Sequence, residues 1–209
     1  MSWVLREKVP RDRIGVLLGV KGAVKAKLEK EAGVQIKVDS ETGDVEITPS
    51  EDTKDISTTF NAKSVVQAIA RGFSPEKASV LLGEGMLFES WDLRKDRGLT
   101  PNDVKRLQGR IIGRDGKMRR TIEELTHSSI SVYGDTVSII GESPGFEVAR
   151  EAVQMLLDGR QHSTVYRYLS RERRKLRKVE LSLWEERPEP PEKPKKAAQR
   201  RISRPSADA

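Results

Sequence analysis

Two short stretches of this chain have the makings of an anion grip. Leu17-Leu18-Gly19-Val20-Lys21-Gly22 opens into AVKAKLEKEAG, and Ile111-Ile112-Gly113-Arg114-Asp115-Gly116 opens into KMRRTIEEL ninety-four residues later. A glycine has no side chain to hold a nucleic-acid backbone at a distance. The N–H groups and positive dipole end of a helix starting at the second glycine then face the phosphates. One Gly-x-x-Gly means little in a chain with 16 glycines, since chance alone supplies about one. Two copies that share an upstream aliphatic pair, a downstream basic helix and an alternating strand define an internal repeat.

Charge points to a polyanion as the ligand. The net charge of +7 is unevenly spread: residues 160–209 hold 15 Lys/Arg against 7 Asp/Glu, and the first 159 hold 24 against 25. Around the second glycine pair, residues 105–120 carry Lys105, Arg106, Arg110, Arg114, Lys117, Arg119 and Arg120 against Asp115 alone. That cluster is a footprint for phosphate.

Other chemistries lack their parts. The absence of cysteine excludes disulfides and thiolate metal sites and fits a reducing cytoplasm. His127 and His162 are the only histidines, and neither has a second donor at metal-ligand spacing. His127 suits the C-terminal end of a helix, and Glu123-Glu124 reads as a solvated helix face. No glycine-rich loop runs into Lys-Ser/Thr for nucleotide hydrolysis. No segment reaches the roughly 20 apolar residues that span a bilayer, and the N-terminus lacks the apolar run of a signal peptide. The expectation is a protein that is no enzyme, holds no metal or cofactor, stays off the membrane and works in the cytoplasm. Abundant Lys, Arg and Glu without cysteine is also the composition of heat-adapted proteins.

The elements that would position the loops repeat as well. Residues 2–9 alternate as a strand, and Pro10 and Asp12 open a helix carrying Ile14, Leu17 and Leu18. After Gly22 a helix presents Val24, Leu28 and Ala32 on one face and stops at Gly33. Val34, Ile36 and Val38 form a strand, SETGD a turn, and Val45 and Ile47 the returning strand. Residues 61–71 form a third helix, and Ser74-Pro75 caps a short one through Leu82. The second unit opens with a strand from Met86 to Arg94, and Thr100 caps a helix running to Ile112. Residues 117–126 form the next helix, with Met118, Ile122 and Leu125 inward. Ile130 and Val132, then Val137 and Ile139, alternate across the turn at Gly134-Asp135. Ser143-Pro144 starts a helix over Val148, Ala152, Leu156 and Leu157. Beyond Gly159 a basic helix places Val165, Leu169, Leu176, Val179 and Leu183 on one side. From Pro188 onward no apolar period remains, and that stretch should be disordered.

This order resembles the type I KH domain, twice over residues 2–159. The resemblance implies an α+β chain of two β-α-α-β-β-α domains, each a three-stranded sheet packed on helices. Residues 1–82 would form the first domain with an extra helix, 86–160 the second, 161–186 a basic helix and 187–209 a disordered tail. In KH domains the glycine loop clamps about four nucleotides of single strand. Carried over by position, Gly113, Arg114, Asp115 and Gly116 form the second clamp. Ile111, Ile112, Ile122 and Ile130 supply its apolar floor, and Lys117, Arg119 and Arg120 lie near phosphates. The first clamp is Leu18, Gly19, Val20, Lys21, Gly22 and Lys25, with Leu28 and Ile36 beneath. Strand backbone near Ser129 to Val132 would read base edges. KH domains usually carry an aliphatic residue where Lys25 and Arg119 stand, and Val24 and Met118 are the candidates to fill that inward place.

GRDGKMRRTIEELTHSSISVYGDTVSIIG, followed by VAREAVQMLLDG and STVYRYL, resembles in particular the archaeal members of the Partner-of-Nob family. These are tandem-KH factors of small-ribosomal-subunit assembly. The resemblance implies binding of single-stranded ribosomal RNA near the 3′ end of the small-subunit RNA, beside the Nob endonuclease that matures it. It also implies an association with the alpha subunit of translation initiation factor two. A general KH regulator of translation or RNA decay, and a protein-interaction scaffold, are the competing readings.

Overall fold

The computed structural model describes residues 4–50 and 56–184. Ser2, Trp3 and the tail expected at 187–209 lie outside the described residues, as do the side chains of Val179 and Leu183. The first unit runs β1 (Leu5–Lys8), α1 (Arg11–Leu18), α2 (Ala23–Ala32), β2 (Val34–Val38), β3 (Asp44–Pro49), α3 (Ile56–Ala70) and α4 (Pro75–Ser79). The second runs β4 (Met86–Asp92), α5 (Leu93–Arg97), α6 (Pro101–Ile112), α7 (Lys117–Thr126), β5 (Ser129–Tyr133), β6 (Thr136–Glu142) and α8 (Gly145–Leu157). A long α9 (His162–Trp184) follows. Each sheet is antiparallel with its third strand in the middle, in the orders β1-β3-β2 and β4-β6-β5, the β-α-α-β-β-α arrangement expected from the repeat.

One element was not anticipated. The opening strand of the second unit ends at Asp92, and Leu93 to Arg97 form α5, where the sequence reading extended the strand to Arg94. The Asp92 carboxylate accepts from the N–H groups of Arg94 and Lys95 at 3.1 and 3.0 Å, an N-cap of ordinary kind. Leu93 is fully buried, and Gly98 closes the turn.

The two sheets differ in how they are covered. In β3 only Val45 and Ile47 are buried, so one face packs on α1 to α3 and the other meets solvent. In β6 every residue from Thr136 to Gly141 is buried. The inward face carries Val137 and Ile139; the outward face carries Ser138 and Ile140. Ile140 is part of the first unit's core, with Phe88 and Met86 packed beside it. Ser131 donates to the carbonyl of Arg71 at 2.9 Å, and Arg13 donates to the carbonyls of Ile69 and Phe73 at 2.9 and 2.5 Å. The helices of the first domain are thus sandwiched between its own sheet and the back of the second sheet. The layers alternate sheet, helices, sheet, helices.

The basic helix α9 closes the stack. Val165 and Leu169 are fully buried in the second core, and Tyr166, Tyr168 and Leu176 pack partly against it. No described helix is long and apolar enough to cross a membrane.

Candidate nucleic-acid interface

Both glycine loops adopt one backbone conformation. Gly19 has φ 69° and ψ −177°, and Gly113 has φ 71° and ψ 177°. The third loop residue is left-handed in each: Lys21 at φ 53°, ψ 29°, and Asp115 at φ 53°, ψ 28°. Gly22 and Gly116 follow at φ 79° and 72°. Left-handed backbone is costly for residues with a Cβ, least so for Asp and Asn.

The first glycine of each pair carries a second constraint. A Cβ on Gly19 would lie 2.5 Å from Cγ2 of Val24, and one on Gly113 would lie 2.7 Å from Cβ of Met118. Met118 takes the inward place beside Arg119 and is 1% exposed; Val24, beside Lys25, is half-buried and packs under its loop without entering the core. The loop therefore rests on the first turn of α2 or α7. Neither helix has a side-chain cap at its N-terminus. The N–H groups of Gly22 and Gly116 turn back to the carbonyls of Gly19 and Gly113, and those of Ala23 and Lys117 to Val20 and Arg114. What faces an anion there is therefore the positive end of the helix dipole.

The candidate side chains divide by exposure. Arg114, Asp115, Lys117 and Arg120 are exposed, and with Thr121 and Glu124 they line an open depression beside the second loop. Ile111, Ile122 and Ile130 are buried in the core, as are Leu28 and Ile36. The floor expected of them thus lies beneath the surface. Ile112 and Leu18 are half-buried and reach it.

The basic cluster is also partly engaged. Arg110 donates to the carbonyls of Leu156 and Arg160 at 3.4 and 2.5 Å. Arg106 pairs with Asp103 at 3.3 Å, and Arg119 lies 3.9 Å from Glu123. Arg120 donates to the carbonyl of Asp115 and braces the loop without losing its charge. Lys105, Arg114 and Lys117 have no ion pair among the described residues. At the first loop Lys21 is exposed beside Val20, itself 82% exposed, while Lys25 and Lys27 pair with Glu29 and Glu31. The second loop is the stronger cationic site.

Glu123 overturns its reading as part of a solvated face. Its side chain is 20% exposed, and its carboxylate accepts the N–H of Ile130 at 2.8 Å. In the first unit Glu29 accepts the N–H of Ile36 at the same distance. Within the Ser129 to Val132 backbone expected to read base edges, the N–H of Ile130 is therefore already occupied. The signal was in the repeat: a glutamate stands seven residues past the second glycine in both copies. His127 does end α7, exposed and left-handed.

Comparison with known proteins agrees with this geometry. Residues 87–174 match the family described as eukaryotic type KH-domain (KH-domain type I), and residues 5–69 match the KH domain family. A KH domain-containing protein of Methanocaldococcus jannaschii is 43% identical over 180 residues, covering 86% of this chain and 78% of that protein. The Dim2p chain in a crystal structure of the a/eIF2alpha–aDim2p–rRNA complex from Pyrococcus horikoshii is 43% identical. It superposes with a TM-score of 0.77 over 83% of this chain and 96% of that one. The chain belongs to the archaeal Dim2p/Pno1 family. Members of this tandem-KH family are RNA-binding factors and not enzymes. The Dim2p/Pno1 kinship reaches eukaryotes: the RNA-binding protein pno1 of Dictyostelium discoideum is 30% identical over 134 residues, which is 64% of this chain and 56% of that protein. The match through residue 174 takes in the first half of α9, in keeping with the burial of Val165 and Leu169.

Proposed function

We propose that this chain grips single-stranded RNA at the 3′ region of small-subunit ribosomal RNA and holds it for maturation by a separate endonuclease of the Nob type. The observation that carries the reading is the second loop. There, a left-handed bare-backbone turn, an uncapped helix N-terminus and the charges of Arg114, Lys117 and Arg120 converge on one exposed surface. Phosphates would sit on that surface, with Ile112 at its apolar border. The alpha subunit of translation initiation factor two is the proposed protein partner, as in the Pyrococcus complex. The exposed Val20 and the weaker charge of the first loop suit a protein contact better than a phosphate. The proposed seat of this work is the cytoplasm.

The test is binding of a labelled single strand from the 3′ end of small-subunit ribosomal RNA to the full chain and two loop variants. R114D, which makes the second loop Gly-Asp-Asp-Gly, should weaken binding at least tenfold with the fold intact. V20D/K21D should leave RNA affinity nearly unchanged and lower affinity for the initiation-factor subunit. Unchanged RNA affinity in R114D overturns the reading of the second loop.

A further inference from the structure

The same three-part device is built into both domains. A cation stands three residues past the second glycine, a carboxylate four residues on, and a strand N–H seven beyond that: Lys25, Glu29 and Ile36 in one, Arg119, Glu123 and Ile130 in the other. The carboxylate Oε1 accepts the strand N–H at 2.8 Å in both. The cation lies 3.8 Å (Lys25 Nζ) or 3.9 Å (Arg119 Nε) away. Strands β2 and β5 are the outer strands of their sheets, paired on one side only. The N–H therefore belongs to the open edge, and the glutamate reaches it from the helix behind the loop. Its carboxylate stands where helix and strand edge face each other, and it stays partly exposed, 29% for Glu29 and 20% for Glu123.

A staple joining helix to strand needs only an acceptor, and glutamine would serve. A carboxylate adds negative charge beside a loop built for phosphate, which opposes a polyanion. Its chemistry differs from that of an amide in one way that matters here: both oxygens accept and neither donates. With Oε1 on the strand N–H, Oε2 keeps acceptor capacity of its own. Arg119 Nε, 3.9 Å from Oε2, has no hydrogen-bond partner among the described residues, so the ion pair leaves that oxygen without a hydrogen bond.

We propose that Glu123 is a specificity-determining residue that accepts a hydrogen bond from the exocyclic amino group of a base in the cleft. Adenine, cytosine and guanine carry such a group; uracil does not. The groove thereby discriminates against uracil at one position. This rests on the RNA-binding reading of the second groove.

The experiment measures affinity of the full chain for labelled oligo-A, oligo-C and oligo-U at one salt concentration, for wild type, E123Q, E29Q and E124Q. In E123Q the amide oxygen keeps the bond from Ile130, so the NH2 must turn toward the cleft and present donors only. The wild type should prefer oligo-A or oligo-C to oligo-U, and E123Q should shift that ratio about tenfold toward uracil, whose O4 accepts. E124Q removes the same charge one residue away, at an exposed position, and should raise all three affinities alike. E29Q makes the same change in the first unit, whose loop is the proposed protein contact, and should leave the ratio unchanged. An unchanged ratio in E123Q with binding intact overturns the proposal, and so does an equal ratio shift in E124Q or E29Q. Failure of the wild type to bind any of the three overturns the groove reading itself, and this inference with it.

Discussion

Tyr133 of the second domain donates its hydroxyl hydrogen to the carboxylate of Asp12 in the first, tying β5 to α1 across the domain boundary. The Arg13 guanidinium lies 5.6 Å from the centre of the same ring, and a Cβ on Gly72 would come within 2.6 Å of the Tyr133 Cβ. Burial first, and the bond to Asp12 second, raise the phenol above its ordinary value of 10.0. The fold favours the protonated phenol, so its contribution is whole below about pH 10 and is lost as pH rises through the raised value. Y133F should cost about 1–2 kcal/mol at neutral pH. The gap in melting temperature between wild type and Y133F should close above about pH 10. A constant gap across that range would remove Tyr133 ionisation from the account.

The glycines of the second loop should separate by mechanism. G113A meets both a left-handed φ of 71° and a contact of 2.7 Å with Met118. G116A meets φ 72° alone, with Arg120 Nε, 3.9 Å away, as its nearest atom. Urea unfolding should give a loss of about 2–4 kcal/mol for G113A and about 1–2 kcal/mol for G116A. Equal losses would mean that α7 shifts freely and that the loop does not rest on Met118.

Much of this architecture was legible in the sequence because the repeat supplied an internal control. Ile36 with Ile130, and Gly19 with Gly113, coincide at one offset, and their conformations coincide too. That the two domains pack into one body was expected, but the faces that meet were missed, although Ile139 and Ile140 are adjacent apolar residues in a strand, which alternation assigns to opposite faces. An apolar residue on each face means both faces are covered. Ser131 and Ser138 hid the rest, because small hydroxyls that find partners across an interface look like solvent-facing residues in a pattern. The role of Glu123 was obscured for a related reason: its partner, the Ile130 N–H, belongs to the backbone, which residue types do not reveal.

Salt dependence should report which cations touch RNA. Lys105, Arg114, Lys117 and Arg120 are exposed and face no carboxylate partner among the described residues. Three or four phosphate contacts give a slope of log affinity against log salt of roughly −2 to −3 for a single strand. R114A and K117A should each reduce its magnitude by about 0.7. R110A should leave the slope unchanged and lower stability, since its guanidinium holds the carbonyls of Leu156 and Arg160. A slope change in R110A would place it on RNA instead.

The basic helix should prove inseparable from the second domain. Leu169 and Val165 are fully buried against the core that supports the second loop, and His162 Nε2 shares a hydrogen bond of 2.8 Å with the carbonyl of Arg110, at the end of α6. L169A leaves a cavity between α9 and the helices beneath it and should cost about 2–5 kcal/mol. Its exposed neighbours Arg173 and Arg174 test the alternative that the helix contributes charge alone: R173A/R174A should change stability by less than about 1 kcal/mol. A chain ending at Arg160 would bare the apolar surface that Val165 and Leu169 cover and should unfold or aggregate. If that shortened chain melted at the same temperature as the full one, α9 would be an appendage and the second core complete without it.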